Sequence, residues 1–286
     1  MRLHTGHTLK EYVIIYSHID KALFEYRRKR MITYDDDQYP IYLSTPHNML
    51  CITLFYFKHY RALRYIANEC HLNEPSVYRI IQYTIDCLYR LFVPRMIIFN
   101  PSTLSTSSDL TPLGNNIKLI IDSTPLCTQQ PKVGEKRKEM YHVKSYTYYA
   151  FKFQIATSLS GMIVHVSQVV PGSVHDIKLY DQSTLKPSVN ESCQVLGDKG
   201  YIGRPFIITP KKKPQNRQIT SKEKNINNIH YTHRVVVENV FARIKQYAII
   251  GAIYRGEFDN VEKATHIVHI VCALTNLSMQ SHPVRA

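Results

Sequence analysis

"YTHRVVVENVFARIK", Tyr231 to Lys245, decides how the second half of this chain is read. It sets one carboxylate, Glu238, among valines and a phenylalanine. Burying a carboxylate in such company is costly unless a cation pairs with it. On a helix, steps of 3, 4 and 7 residues return to nearly one face, and Tyr231, Arg234, Glu238 and Lys245 follow those steps. Val237, Phe241, Ile244 and Ala248 form the adjacent apolar stripe, suited to packing on a sheet. Two plainer readings compete. The run "VVV" also suits a strand, and Arg234 with Glu238 also suits an ion pair on a solvated helix face.

Upstream, the pattern is that of strands. "IKLIID" (Ile117 to Asp122) is a short apolar run fit for a central strand ending at Asp122. "YTYYAFKFQIATSLSGMIVHVSQVV" (Tyr146 to Val170) reads as two strands joined at Ser160-Gly161. "VHDIKLYDQS" suits a short helix, and "CQVLGDKGY" a strand running into a turn at Asp198. "EKATHIVHIVCALTNLSM" (Glu262 to Met279) is the last helix, on which His266 and His269 read as structural. Together these predict an α/β domain over residues 117–286, a mixed sheet flanked by helices.

Before that domain the chain reads as all-α. Residues 101–116, "PSTLSTSSDLTPLGNN", are polar and make a linker. Residues 46–100 read as helices, and "ALRYIANECHLNEPSVYRIIQY" (Ala62 to Tyr83) has the outline of a helix-turn-helix. Asn73 is placed to cap its second helix, and Pro75 suits the first turn. Ser76, Tyr78 and Arg79 lie early on that helix, where bases are contacted, while Arg61 and Arg64 are placed to grip phosphates. A plain helical bundle fits the same residues. Residues 1–45 form a basic arm that turns acidic at "YDDDQYP", Tyr34 to Pro40.

Composition narrows the function classes. A hydrophobic content of 44% over 286 residues indicates a globular protein. No apolar run approaches the roughly 18 residues of a membrane span, and "MRLHTGHTLKEY" has no apolar leader, so neither membrane nor secretion is expected. The six cysteines form no CxxC pair and read as reduced thiols of an intracellular protein, and no Cys/His group has zinc spacing. The net charge of +14 favours a polyanionic partner. Basic residues gather at "RRKR" (Arg27 to Arg30), "KVGEKRK" (Lys132 to Lys138) and "KKK" (Lys211 to Lys213). Each alone reads as a solvated loop. With the net charge they point to nucleic acid, and "RRKR" and "PKKKP" also suit nuclear import.

Asp122 and Asp198 each end an apolar run, where ligands gather in sheets of this kind. Either alone is a turn residue. With Glu238 they make an oxygen donor set for a hard cation such as Mg²⁺. Two such ions about 4 Å apart activate an attacking oxygen and stabilise the leaving oxygen on phosphorus. On a basic protein, that is phosphodiester chemistry on nucleic acid.

These residues resemble the DDE transposases with an RNase H-like fold, above all the PIF/Harbinger superfamily and related bacterial insertion-sequence transposases. The signature Y-x2-R-x3-E-x6-K fits Tyr231, Arg234, Glu238 and Lys245 without a gap, after Asp122 in "IIDST" and Asp198 in "LGDKGY". "PGSVHD" (Pro171 to Asp176), "VCALTNL" (Val271 to Leu277) and the helix-turn-helix segment are also similar, so the likeness spans residues 46–279. The chain departs from the family at Asn239 and Ala242, where a basic residue and a glycine are usual.

The resemblance implies that Asp122, Asp198 and Glu238 are catalytic and hold divalent metal, Mg²⁺ or Mn²⁺, as two ions. Tyr231, Arg234 and Lys245 would contact DNA phosphates or orient Glu238, and Lys144 would also contact DNA. Asp176 rivals or supports the second carboxylate; its plainer reading is a helix cap. Water would free a 3′-OH at the element's end, and that hydroxyl would attack the target strand. The implied partners are terminal-repeat and target DNA, a second copy of the chain on DNA and, in some of the family, a Myb-like protein. The expected compartment is the nucleus in a eukaryote and the cytoplasm otherwise. A domesticated derivative that binds DNA as a regulator without cutting is the alternative, and an RNase H-like nuclease outside transposition is a third. The intact carboxylate set favours the enzyme, since a binder needs none of it.

Overall fold

The computed structural model describes residues 2–31, 45–212 and 217–284 of the 286. The acidic run Tyr34 to Pro40 lies outside them, as does Lys213 of the "KKK" run. Helices α1 (Arg2–Thr5), α2 (Leu9–Met31), α3 (Pro46–His59), α4 (Leu63–Glu69), α5 (Glu74–Cys87) and α6 (Val93–Met96) precede strand β1 (Ile117–Cys127). Then come α7 (Gly134–Met140), β2 (Ala150–Ser158), β3 (Ile163–Val166), β4 (Val170–Pro171), α8 (Asp176–Asp181), β5 (Gln194–Leu196) and β6 (Ile207–Ile208). Helices α9 (Ser221–Ile244), α10 (Ala248–Gly251) and α11 (Val261–Ser281) follow. The chain divides into two compact units. The first is Met1–Met96 with Ile244–Ala252 and His266–Ser278; the second is Ile97–Arg243 with Ile253–Thr265 and Met279–Ala286. Residues 101–116 therefore fall inside the second unit.

The first unit is helical. Thr8 and Glu11 form a reciprocal cap at the start of α2: Thr8 N–H donates to Glu11 Oε2 at 2.7 Å, and Glu11 N–H to Thr8 Oγ1 at 3.3 Å. Helix α5 is capped as expected, with Ser76 N–H donating to Asn73 Oδ1 at 2.8 Å. Its apolar stripe, Val77, Ile80, Ile81 and Ile85, is buried. It continues through a π-helical turn, Leu88–Phe92, into α6. The His266 ring stacks on Tyr89 at 3.7 Å, and His269 tilts against the same ring, so both pack rather than ligate. Among the described residues all six cysteines are free thiols, and no helix is long and apolar enough to cross a membrane.

The second unit is built on a six-stranded mixed sheet in the order β3-β2-β1-β5-β6, with β4 also paired to β2. β2 runs antiparallel to β1, and β3 antiparallel to β2; β5 lies parallel to β1, and β6 parallel to β5. The β2–β3 hairpin turns where the sequence puts it, with Gly161 at φ +95°, a conformation only glycine takes freely. One sheet face buries Leu119, Ile121, Ala156 and Val195 against Tyr180 of α8 and Tyr201. Phe153 of β2 meets Phe241 of α9 edge-on at 6.3 Å.

Helix α9 opens on a second reciprocal cap, with Thr220 N–H donating to Glu223 Oε2 at 2.9 Å and Glu223 N–H to Thr220 Oγ1 at 3.2 Å. The "VVV" run is helical despite its strand propensity. Val236, Val237, Val240, Phe241 and Ile244 are all buried at helical spacing, and that burial outweighs a weak local preference.

Candidate active site

Three aspartates line one cavity of about 330 Å³ in the second unit: Asp122, Asp176 and Asp198. Asp122 was expected at the end of its strand. Instead β1 continues to Cys127, because β2 pairs with it from Leu119 to Cys127. The pairing to β5 stops earlier, at Ile120–Leu196, so Asp122 sits where β1 has lost its neighbour on that side. Asp198 follows two residues after β5 and caps the short turn Lys199–Tyr201, accepting from Gly200 N–H at 2.7 Å. Both aspartates thus gather at the end of the parallel pair, as the strand-end argument requires.

Neighbours on a strand point to opposite faces. Asp122 Oδ2 accepts from Arg234 Nη2 of α9 at 2.6 Å, and both side chains are 16% exposed. Ser123 turns the other way and donates to Asp176 Oδ1 at 2.6 Å. The same Asp176 oxygen accepts from the buried ammonium of Lys152 at 3.1 Å, which also donates to Val174 C=O at 2.6 Å. Gln154, two residues along β2 on the same face, is fully buried and donates to Tyr201 Oη at 2.7 Å. Burial raises Asp122 above the usual carboxylate range; the Asp198 charge adds to that and Arg234 opposes it. Burial and the surrounding aspartates lift the Tyr201 hydroxyl well above the phenol range.

The "PGSVHD" stretch has a physical reading here. Pro171 is on the short edge strand β4, paired to Phe151. Gly172 is pressed so closely that an added Cβ would lie 2.5 Å from Ala150 C=O. Val174 supplies the carbonyl that holds Lys152, and Asp176 begins α8. The cap reading of Asp176 is corrected: His175 is the cap residue of α8, Asp176 is its first helical residue, and its Oδ1 is engaged by Ser123 and Lys152.

Glu238 does not join them. Its side chain is exposed, it is not among the cavity's lining residues, and among the described residues it makes no ion pair. Arg234, one turn away, pairs with Asp122 instead of Glu238. Tyr231 is 64% exposed. Lys245 lies in the turn after α9, among residues of the first unit, because the helix ends at Ile244. Lys144 lines the aspartate cavity and is exposed. In the first unit Arg61, Arg64 and Tyr78 are exposed and Arg79 is half-buried. Ser76 is 1% exposed and its hydroxyl accepts from Arg79.

Sequence reasoning passed over Lys152, Ser123, Gln154 and Tyr201. The visible signal was a lysine and a glutamine two apart in the otherwise apolar "YAFKFQIA".

Among the described residues, no three His, Cys, Asp or Glu side chains converge at metal-binding distance. Three aspartate carboxylates line the cavity with His142 and His175 beside them, and the carboxylate oxygens suit a hard cation. A Cβ on Gly200 would lie 2.8 Å from Asp198 Oδ1 and 3.1 Å from Asp176 Oδ2, so two carboxylates face the same bare glycine. The repulsion that helps lift Asp122 is also what a cation would relieve.

Three similar proteins carry provisional names. A transposase for insertion sequence element IS702, from Microchaete diplosiphon, is 26% identical over 73% of this chain and 72% of its own length. A transposase for insertion sequence element IS112, from Streptomyces albus G, is 25% identical over 46% of this chain and 49% of its own. A nuclease, HARBI1, in Bos taurus and Homo sapiens, is 24% identical over 43% of this chain and 35% of its own. No solved structure matches. The family described as DDE superfamily endonuclease matches residues 121–276, more than half of the chain and a span that holds Asp122, Asp176, Asp198, Arg234 and Glu238. By that match, this chain belongs to the DDE superfamily endonucleases.

Proposed function

We propose that this chain is a metal-dependent DNA endonuclease and strand-transferase of a mobile element, with Asp122 and Asp198 at its centre. The observation that carries the reading is their convergence on one cavity from two parallel neighbouring strands. The mixed sheet, antiparallel on one side of β1 and parallel on the other, supports an RNase H-like fold.

Asp122 and Asp198 would hold Mg²⁺ or Mn²⁺ with Asp176 beside them, and Glu238 is the third carboxylate by its place in the signature. Such ions supply Lewis acidity and a lowered water pKa at phosphorus. The protein's own work is positioning. Arg234 holds Asp122 against the end of β1, and Ser123 with Lys152 fixes Asp176. Arg61 just before α4, with Arg64 on α4 and Tyr78 and Arg79 on α5, would meet DNA, and Tyr231, Lys144 and Lys245 would add phosphate contacts.

The exposed position of Glu238 outside the cavity favours one second reading, a derivative that binds DNA without cutting. Labelled DNA carrying the element's own ends separates the two. With Mg²⁺ or Mn²⁺ the enzyme reading expects strand nicks leaving 3′-OH ends, and joined products when target DNA is added. Glu238→Gln should bind that DNA as wild type does and lose nicking. Equal binding by both proteins with no nicks from either would favour the binder.

A further inference from the structure

The wall of the aspartate cavity carries groups that neither metal binding nor the carboxylate chemistry uses. Tyr141, Val143 and Lys144 line the same cavity as Asp122, Asp176 and Asp198. Tyr141 is 49% exposed and Val143 68% exposed. Lys144 is also exposed, and among the described residues it makes no ion pair. Together they set apolar and aromatic surface and an ammonium beside an acidic floor.

The loop that presents them is tied down by its own hydrogen bonds. His142 N–H donates to Tyr148 C=O at 2.9 Å, and Ser145 N–H to His142 C=O at 2.9 Å. Tyr148 N–H donates back to Ser145 C=O at 3.0 Å, with Tyr148 itself at φ +57°. The buried Ser145 hydroxyl bonds Thr147 Oγ1 at 2.9 Å. Tyr141 bridges to Tyr149 beside the start of β2, and their rings meet edge-on at 6.4 Å. The backbone that carries the tyrosine and lysine is therefore held at the cavity wall, which lowers the ordering cost at binding.

We infer that this wall is a docking place for one unstacked nucleotide of the DNA strand being processed. Its base would lie on Tyr141 and Val143, and its phosphate on Lys144. The inference rests on the endonuclease reading and names the substrate form that the site takes. Size argues for one nucleotide: a cavity of about 330 Å³ is at the small end of ligand pockets and admits no base-paired duplex. Charge argues the same way. Asp122 and Asp176 already have Arg234 and Lys152 as cations, and Lys144, which among the described residues makes no ion pair, is left on the cavity wall to take a phosphate. An aromatic face beside a cation is the pairing by which proteins hold single nucleotides irrespective of sequence. A strand end or nick, where unstacking is cheap, is where such a place would be filled.

The test uses the full chain and two synthetic DNAs of one sequence, a perfect duplex and a duplex with one unpaired 2-aminopurine nucleotide. Binding is read by anisotropy in EDTA, stacking by quenching of the 2-aminopurine, and nicking separately in Mn²⁺. Wild type should prefer the unpaired-nucleotide DNA and quench its probe. Tyr141→Ala should lose about tenfold of that preference together with the quenching, while Tyr141→Phe keeps both. Lys144→Gln should weaken binding and lower the salt slope by about one. A Tyr141→Ala protein with the wild-type preference and quenching overturns the inference. So does a wild type that binds and nicks duplex with no preference at all, which would leave the endonuclease reading standing. A wild type that neither binds nor nicks either DNA overturns both.

Discussion

Arg234 and Glu238 lie one helical turn apart on the same stripe, yet they live in different surroundings. Arg234 reaches a carboxylate that is mostly buried, at 16% exposure, and Glu238 reaches solvent. Removing one partner of a pair withdrawn from water strands the other charge, at a cost of about 3–5 kcal/mol when burial is complete. We expect Arg234→Ala to lower stability by about 2–3 kcal/mol, discounted for the residual exposure. Glu238→Ala should stay within about 0.5 kcal/mol of wild type. Urea midpoints of the two variants check this, and equal midpoints would mean that the Arg234–Asp122 pair contributes nothing. Lys152 poses the same problem more sharply. Its ammonium is buried against Asp176 and Val174 C=O. Lys152→Met should therefore destabilise by about 3 kcal/mol, and denaturation monitored by circular dichroism would show a smaller loss if Asp176 could re-pair.

Elements explain what single residues do not. Two helices start on the same local device, Thr8 with Glu11 and Thr220 with Glu223. Thr220→Ala should cost about 1 kcal/mol, read as a lowered melting temperature. The two glutamates also set an acid limit. Glu11 is held down to about 2 by His7 and by the Thr8 N–H, against an ordinary value of 4.5. A folded value below the unfolded one means that the unfolded chain binds more protons between them. That stability is complete above about pH 5 and is lost as pH falls towards 2. Glu11→Gln should flatten the fall in urea midpoint between pH 5 and pH 2, and an unchanged slope would contradict the assignment.

These caps are local, and so they could be read from the sequence, as Asn73 was. Pairing is not local. "IKLIID" ends its apolar run at Asp122, but β2 carries β1 five residues further through antiparallel partners such as Thr124–Phe153. The two-residue strand β6 has no period to detect, and it exists because Val195 and Leu196 offer it an edge. Glu238 was legible as part of a spaced signature. Its exposure was not, since spacing fixes a helix face and not what covers that face.

At the scale of the whole molecule, sequence order and compact units disagree. The first unit gathers residues from near both ends of the chain, so its limits depend on long-range packing that composition cannot show. Charge is a global property that the sequence does carry. A net +14 predicts DNA affinity that falls steeply with salt. If α4 and α5 grip phosphates, the Arg61→Ala, Arg64→Ala double variant should reduce the slope of log affinity against log salt by about 2. An unchanged slope would remove those arginines from the interface.

The proposed function places DNA cutting in the cavity of Asp122, Asp176 and Asp198. The most direct measurement is Mg²⁺- or Mn²⁺-dependent nicking by Asp198→Asn, with DNA binding recorded on the same preparation. That change keeps shape and an oxygen able to accept from Gly200 N–H, and it removes one charge. Asp198→Asn should bind DNA as wild type does and nick it about a hundredfold more slowly. Nicking at the wild-type rate by a folded, DNA-binding Asp198→Asn protein would place the chemistry elsewhere.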